Sequence, residues 1–91
     1  MVQTIIKHDK PMTLKEMQDA VNGTIQLVFD DGETQIICNE EGKLMNLPEN
    51  ERATDIWWDL LDETEDAHIL SNYDVLVGDV LILKGKARIW I

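Results

Sequence analysis

Thr24-Ile25-Gln26-Leu27-Val28-Phe29-Asp30-Asp31-Gly32-Glu33-Thr34-Gln35-Ile36-Ile37-Cys38-Asn39 is the stretch that decides how this chain folds. Two apolar-rich runs, 24–30 and 33–39, flank Asp31-Gly32, the strongest short hairpin signal a sequence offers. A two-residue turn at that point pairs Phe29 with Thr34, Leu27 with Ile36 and Ile25 with Cys38. These six residues then share one face, apolar except at Thr34. Thr24, Gln26, Gln35 and Asn39 fall on the other face, with Val28 and Ile37 as exceptions. Turn chemistry and alternation agree on that register.

Upstream, residues 2–7 read as a strand, and Pro11 keeps the following polar connection from continuing it. Thr13 and Glu16 stand three apart as a capping box, and Leu14, Met17 and Val21 mark one face of a short helix. Asn22-Gly23 ends that helix, with Gly23 suited to the left-handed position beyond it. Downstream, the chain leaves its strand at Cys38 and turns at Gly42. It sets Leu44 and Leu47 as apolar tethers, stops at Pro48 and starts a helix at the N-cap Asn50. Ala53, Ile56, Trp57, Leu60 and Leu61 form that helix's apolar stripe, while Asp55, Asp59, Asp62 and Asp66 lie opposite with Trp58 beside them.

The remaining apolar material is Val75-Leu76-Val77 and Val80-Leu81-Ile82-Leu83, interrupted by Gly78-Asp79, where glycine suggests a bulge or a close backbone approach. Gly85 can turn the chain into a last edge strand over 87–91. The expected fold is α+β: a mostly antiparallel four- to five-stranded sheet with two helices on it, in the order β-α-β-β-α-β-β. That order matches the split βαβ pattern of ferredoxin-like folds. Ninety-one residues make a single domain, 1–91.

Eighteen acids against eight Lys and Arg leave a net charge of −10, which opposes binding to nucleic-acid phosphates or anionic membranes. The lone Cys38 cannot close an internal disulfide, there is no leader-like N-terminus, and no apolar run approaches the ~20 residues of a membrane span. The expected location is the cytoplasm. His8, His68 and Cys38 are scattered, so no metal is expected. Cys38 sits on the apolar hairpin face and Ser71 is the only serine, so no nucleophile has a visible partner. Phosphate-binding glycine motifs are absent. No catalytic residue and no cofactor is expected.

Asn39-Glu40-Glu41-Gly42-Lys43-Leu44, then Leu47-Pro48, Asn50 and Ala53-Thr54, with Val77-Gly78-Asp79-Val80 downstream, resembles a family of small domains of unknown function carried by bacteriophages and mobile elements. The similarity runs from about Leu14 to Leu83. It implies an accessory protein of the bacterial cytoplasm and brings no catalytic residue with it.

Three functional expectations follow. The first is a non-enzymatic accessory domain that binds a host or phage protein through Asp55, Trp58, Asp59, Asp62 and Glu63. Residues 49–66 carry eight acids and one base, and exposed tryptophan favours interfaces. The second is a DNA mimic that occupies a nucleic-acid enzyme; helical acids at i, i+4 stand ~6 Å apart, sparse beside one charge per ~1.7 Å of duplex. The third is a small polar ligand held by Asn39, Glu40, Asn46, Asn50 and Arg52 around the 39–54 loop. The chain is expected to be a monomer or a homodimer.

Overall fold

The computed structural model describes residues 2–63 and 74–89. Strand β1 (Thr4–Lys7) leads to helix α1 (Leu14–Val21), hairpin strands β2 (Ile25–Asp30) and β3 (Thr34–Asn39), helix α2 (Glu51–Asp62) and strand β4 (Val80–Lys84). The four strands lie in the order β1-β4-β3-β2. β2/β3 and β3/β4 are antiparallel, and β1/β4 is parallel. The α+β class and the mostly antiparallel sheet therefore hold, with β1 at an edge.

The hairpin register differs from the expected one. Phe29 pairs with Ile36, Leu27 with Ile37, Gln26 with Cys38 and Ile25 with Asn39, with an irregularity between Leu27 and Phe29. The cause lies in the turn. Asp30 Oδ1 accepts from the Gly32 amide (2.9 Å), and Asp31 Oδ1 accepts from the amides of Glu33 (2.9 Å) and Thr34 (2.7 Å). These carboxylates hold a wider loop than Asp31-Gly32 alone, which slides the pairing by two residues. The bulge at Val28 then takes back one.

The bulge changes which side chains share a face. Phe29, Ile36 and Cys38 pack with Val80 and Ile82 against α2, whose Ala53 and Leu61 complete that core. Ile25, Leu27 and Ile37 join Leu81 and Leu83 on the other side, against Met17 and Val21 of α1. The sheet is thus covered on both faces, one helix to each. A strand buried on both sides reads as an unbroken apolar run, which is what Ile36-Ile37-Cys38 and Val80-Leu81-Ile82-Leu83 are. A ferredoxin-like fold with both helices on one face is not what forms.

Local signals fare better. The capping box is complete, with Glu16 N–H to Thr13 Oγ1 at 3.1 Å and Thr13 N–H to Glu16 Oε1 at 2.9 Å. α1 ends on Asn22 in the left-handed conformation (φ 64°), one residue before the expected glycine. Gly23 is extended and needed for space, because a Cβ there would sit 2.8 Å from Asn39 Nδ2. Gly78, at φ 73°, is a close approach: its Cβ would lie 2.7 Å from Leu47 Cδ1.

The two loop leucines part company. Leu47 is half-buried against Gly42 and Gly78, whereas Leu44 is 85% exposed and tethers nothing. Leu47→Ala should cost about 2 kcal/mol in urea unfolding, and Leu44→Ser should stay within about 0.5 kcal/mol of the parent. The final strand expected over 87–91 is not seen in its described part. Residues Gly85–Ala87 form a 3₁₀ turn, and Ile89 is held by the side chain of Gln35, with its N–H 2.7 Å from Oε1 and its C=O accepting from Nε2 at 2.9 Å. Trp90 and Ile91 lie outside the described residues, as do Asp66, His68, Ser71 and Tyr73.

Candidate functional site

α1 ends and α2 begins at the same end of the sheet, and the polar residues of the 38–54 stretch gather there. Asn50 is 2% exposed. Its Oδ1 accepts from Ala53 N–H and from the Thr4 hydroxyl, both at 3.0 Å; its Nδ2 donates to the carbonyls of Gln3 and Gly78, also at 3.0 Å. Asn39 Nδ2 donates to the carbonyls of Val21 (3.1 Å) and Asn22 (3.3 Å), and its Oδ1 accepts from Glu41 N–H (2.8 Å). Thr54 Oγ1 accepts from Leu76 N–H at 2.9 Å. Asp79 accepts from Gln3 N–H (2.8 Å) and Asn22 Nδ2 (3.0 Å). Each bond closes a helix end or a loop onto a neighbour, so the hydrogen-bonding capacity of Asn39, Asn50 and Thr54 is spent inside the fold.

The expected ligand residues do not converge. Asn39 and Glu40 line a cleft of about 270 Å³, Asn50 and Arg52 line a separate groove of about 540 Å³, and Asn46 is exposed on the loop at φ 55°. The smaller cleft, between β2, β3, α2 and residues 74–77, also holds Gln26, Cys38, Lys43 and Trp57. Lys43 Nζ pairs there with Asp74 Oδ2. That ammonium, followed by the Val75 amide, holds the Asp74 carboxyl below its usual range. Burial pushes the Cys38 thiol up, so it stays protonated and offers no thiolate nucleophile. The Trp57 indole N–H is buried, with no partner among the described residues. Sequence reasoning placed Trp57 on the core stripe and missed this cleft, because Gln26, Trp57 and Asp74 are brought together only by the tertiary fold.

The outer side of α2 is different in kind. Asp55, Asp59, Asp62 and Glu63 are exposed on it. Among the described residues the ion pairs are Lys15–Asp19 and Lys43–Asp74, so neither Asp55 nor Asp59 is neutralised. Trp58 is half-buried, packs on the α2-side core and donates its indole N–H to Asp74 C=O at 2.7 Å. With Glu49, Glu51, Asp55 and Val75 it lines a hollow of about 170 Å³. An amphipathic tryptophan beside uncompensated carboxylates can receive an aliphatic stem and a cationic head together.

No group of three or more His, Cys, Asp or Glu residues that could hold a metal occurs among the described residues, and no helix among them is long and apolar enough to cross a membrane. A family model described as a domain of unknown function (DUF3846) matches residues 2–88. No curated protein and no solved structure matches the chain.

Proposed function

The chain belongs to the DUF3846 family, a domain of unknown function, and from that premise we propose that it is a non-enzymatic accessory domain that binds a protein partner through the outer face of α2. The motif resemblance supports a phage or mobile-element origin and work in the bacterial cytoplasm, on a host or phage protein. One observation carries the binding reading. The buried polar residues Asn39, Asn50 and Thr54 are consumed by the fold, whereas Asp55 and Asp59 stand exposed beside Trp58 with no ion pair among the described residues. Unneutralised carboxylates at that density favour a basic protein surface and steer its approach.

The test is affinity capture from bacterial lysate with the parent chain and with Asp55→Lys/Asp59→Lys. Both positions are exposed, so folding stability should change by no more than about 0.5 kcal/mol. The double variant should lose the captured protein, and rising salt should release it from the parent. Capture of the same proteins by both chains would sink the reading. DNA mimicry is the reading to adopt instead if the captured protein handles DNA and is displaced by added duplex.

A further inference from the structure

Among the described residues, the backbone of strand β1 is paired on one side only, by β4. The Gln3 carbonyl accepts from Val80 N–H at 3.0 Å, and the parallel register sets Thr4 beside Val80 and Ile6 beside Ile82. In a parallel ladder this aims the amides of Ile5 and Lys7 at β4 and turns the N–H and C=O groups of Thr4 and Ile6 away from the sheet. No bond among the described residues occupies those four outward groups. The opposite edge, β2, is interrupted by its bulge at Val28, a device that spoils an edge as a template. β1 keeps a regular register through Lys7, whose charge marks the end of the usable stretch.

Beside β1 lies the groove of about 540 Å³, walled by Val2, Gln3, Thr4 and Ile5 on one side and by residues 49–52 on the other. Glu49 and Glu51 are exposed on that wall, with Arg52 as its only base, and Asp55 and Asp59 continue the acidic surface along α2. We propose that this edge takes up an extended, lysine- or arginine-bearing segment of a partner protein as a fifth strand. Its backbone pairs with Thr4 and Ile6, and its basic side chains on the α2 side meet Glu49 and Glu51. Main-chain bonds would supply affinity and the alternate side chains specificity. This rests on the protein-binding reading above and names its mode. A second copy is the poorer occupant, because it would bring two chains of net charge −10 together with their acidic walls adjoining.

The probe is a synthetic peptide of alternating valine and lysine, with a valine–glutamate peptide as control, followed by NMR amide exchange and shifts on the intact chain. With the basic peptide, exchange at the Thr4 and Ile6 amides should slow by about tenfold or more, as bonded edge amides do; the acidic control should not bind. A chain made by ligation with an N-methyl group on Ile6 has a methyl in place of the outward N–H, which removes one edge donor and adds bulk there, and should bind the basic peptide at least about fivefold more weakly. If Asp55 and Asp59 resonances shift while Thr4 and Ile6 exchange unchanged, the edge proposal falls and the acidic-face reading stands. If neither region responds, both fall. Protection of Thr4 and Ile6 that grows with protein concentration in the absence of peptide would assign the edge to a second copy and overturn the proposal.

Discussion

Asn50→Ala is expected to remove about 3–5 kcal/mol of unfolding free energy, measured by urea titration, a large share of the roughly 5–15 kcal/mol a domain has in total. The side chain caps α2 through Ala53 N–H, worth about 1 kcal/mol by itself. It also satisfies the Thr4 hydroxyl and the carbonyls of Gln3 and Gly78. The Gly78 bond is buried, and each buried polar group left unpaired adds about 1–3 kcal/mol. Asn50→Asp separates the two contributions. A carboxylate keeps the cap and the Thr4 bond but faces the Gln3 and Gly78 carbonyls with no proton to donate. It should therefore destabilise comparably near neutral pH, and the deficit should narrow on acidification as protonation restores one donor. A loss below about 1 kcal/mol for the alanine variant would mean that capping is all the residue does.

Leu81→Ala and Ile82→Ala are expected to be about equally damaging, each costing about 2–5 kcal/mol in the same assay. They are neighbours on β4, both fully buried, and they point to opposite faces: Leu81 into the α1-side core, Ile82 into the α2-side core. In a sheet with one wet face, one of the two would be nearly silent. Comparable losses therefore test the two-faced packing directly. Because the two side chains lie in different cores, the double variant should come close to the sum of the singles, provided the backbone between them does not relax.

What was legible in the sequence was mostly what depends on near neighbours. Thr13 with Glu16, Asn50 as N-cap and the α2 stripe rest on contacts within a turn or two of helix, and all are present. The hairpin was legible as a hairpin, but its register was not. Asp30 and Asp31 accept turn amides and widen the loop, and a bulge at Val28 then moves Leu27 and Ile25 to the other face. Val28 and Ile37 had already broken the one-face pattern, and with Val80-Leu81-Ile82-Leu83 they were the visible trace of burial on both sides.

The candidate site was legible as charge and much less as geometry. The acids of α2 needed only the helical period to reach one face. Asn39, Asn46, Asn50 and Arg52 looked like one polar loop, yet Asn39 turns toward the end of α1 and Asn50 toward β1 and Gly78, each drawn by a carbonyl distant in sequence. Nothing local announces such partners. Leu44 and Leu47 make the same point: both are apolar, and only the glycines at 42 and 78 reveal which one has a seat.

The parallel pairing of β1 with β4 also has a consequence for how the chain comes together. Its partners are far apart in sequence, with Gln3 bonded to Asp79 across 76 positions. Closing so long a loop has a large entropic cost and is offset only once β3 and β4 already offer a surface. At about 5–20 residues per second of synthesis, β1 waits roughly 4–15 s before its neighbour exists. The helix–hairpin unit can gather during that interval, and β1 joins last. A side-chain trim on β1, such as Ile5→Val, should then quicken unfolding and leave the folding rate nearly untouched. The strand that completes the sheet is the one with least time inside it.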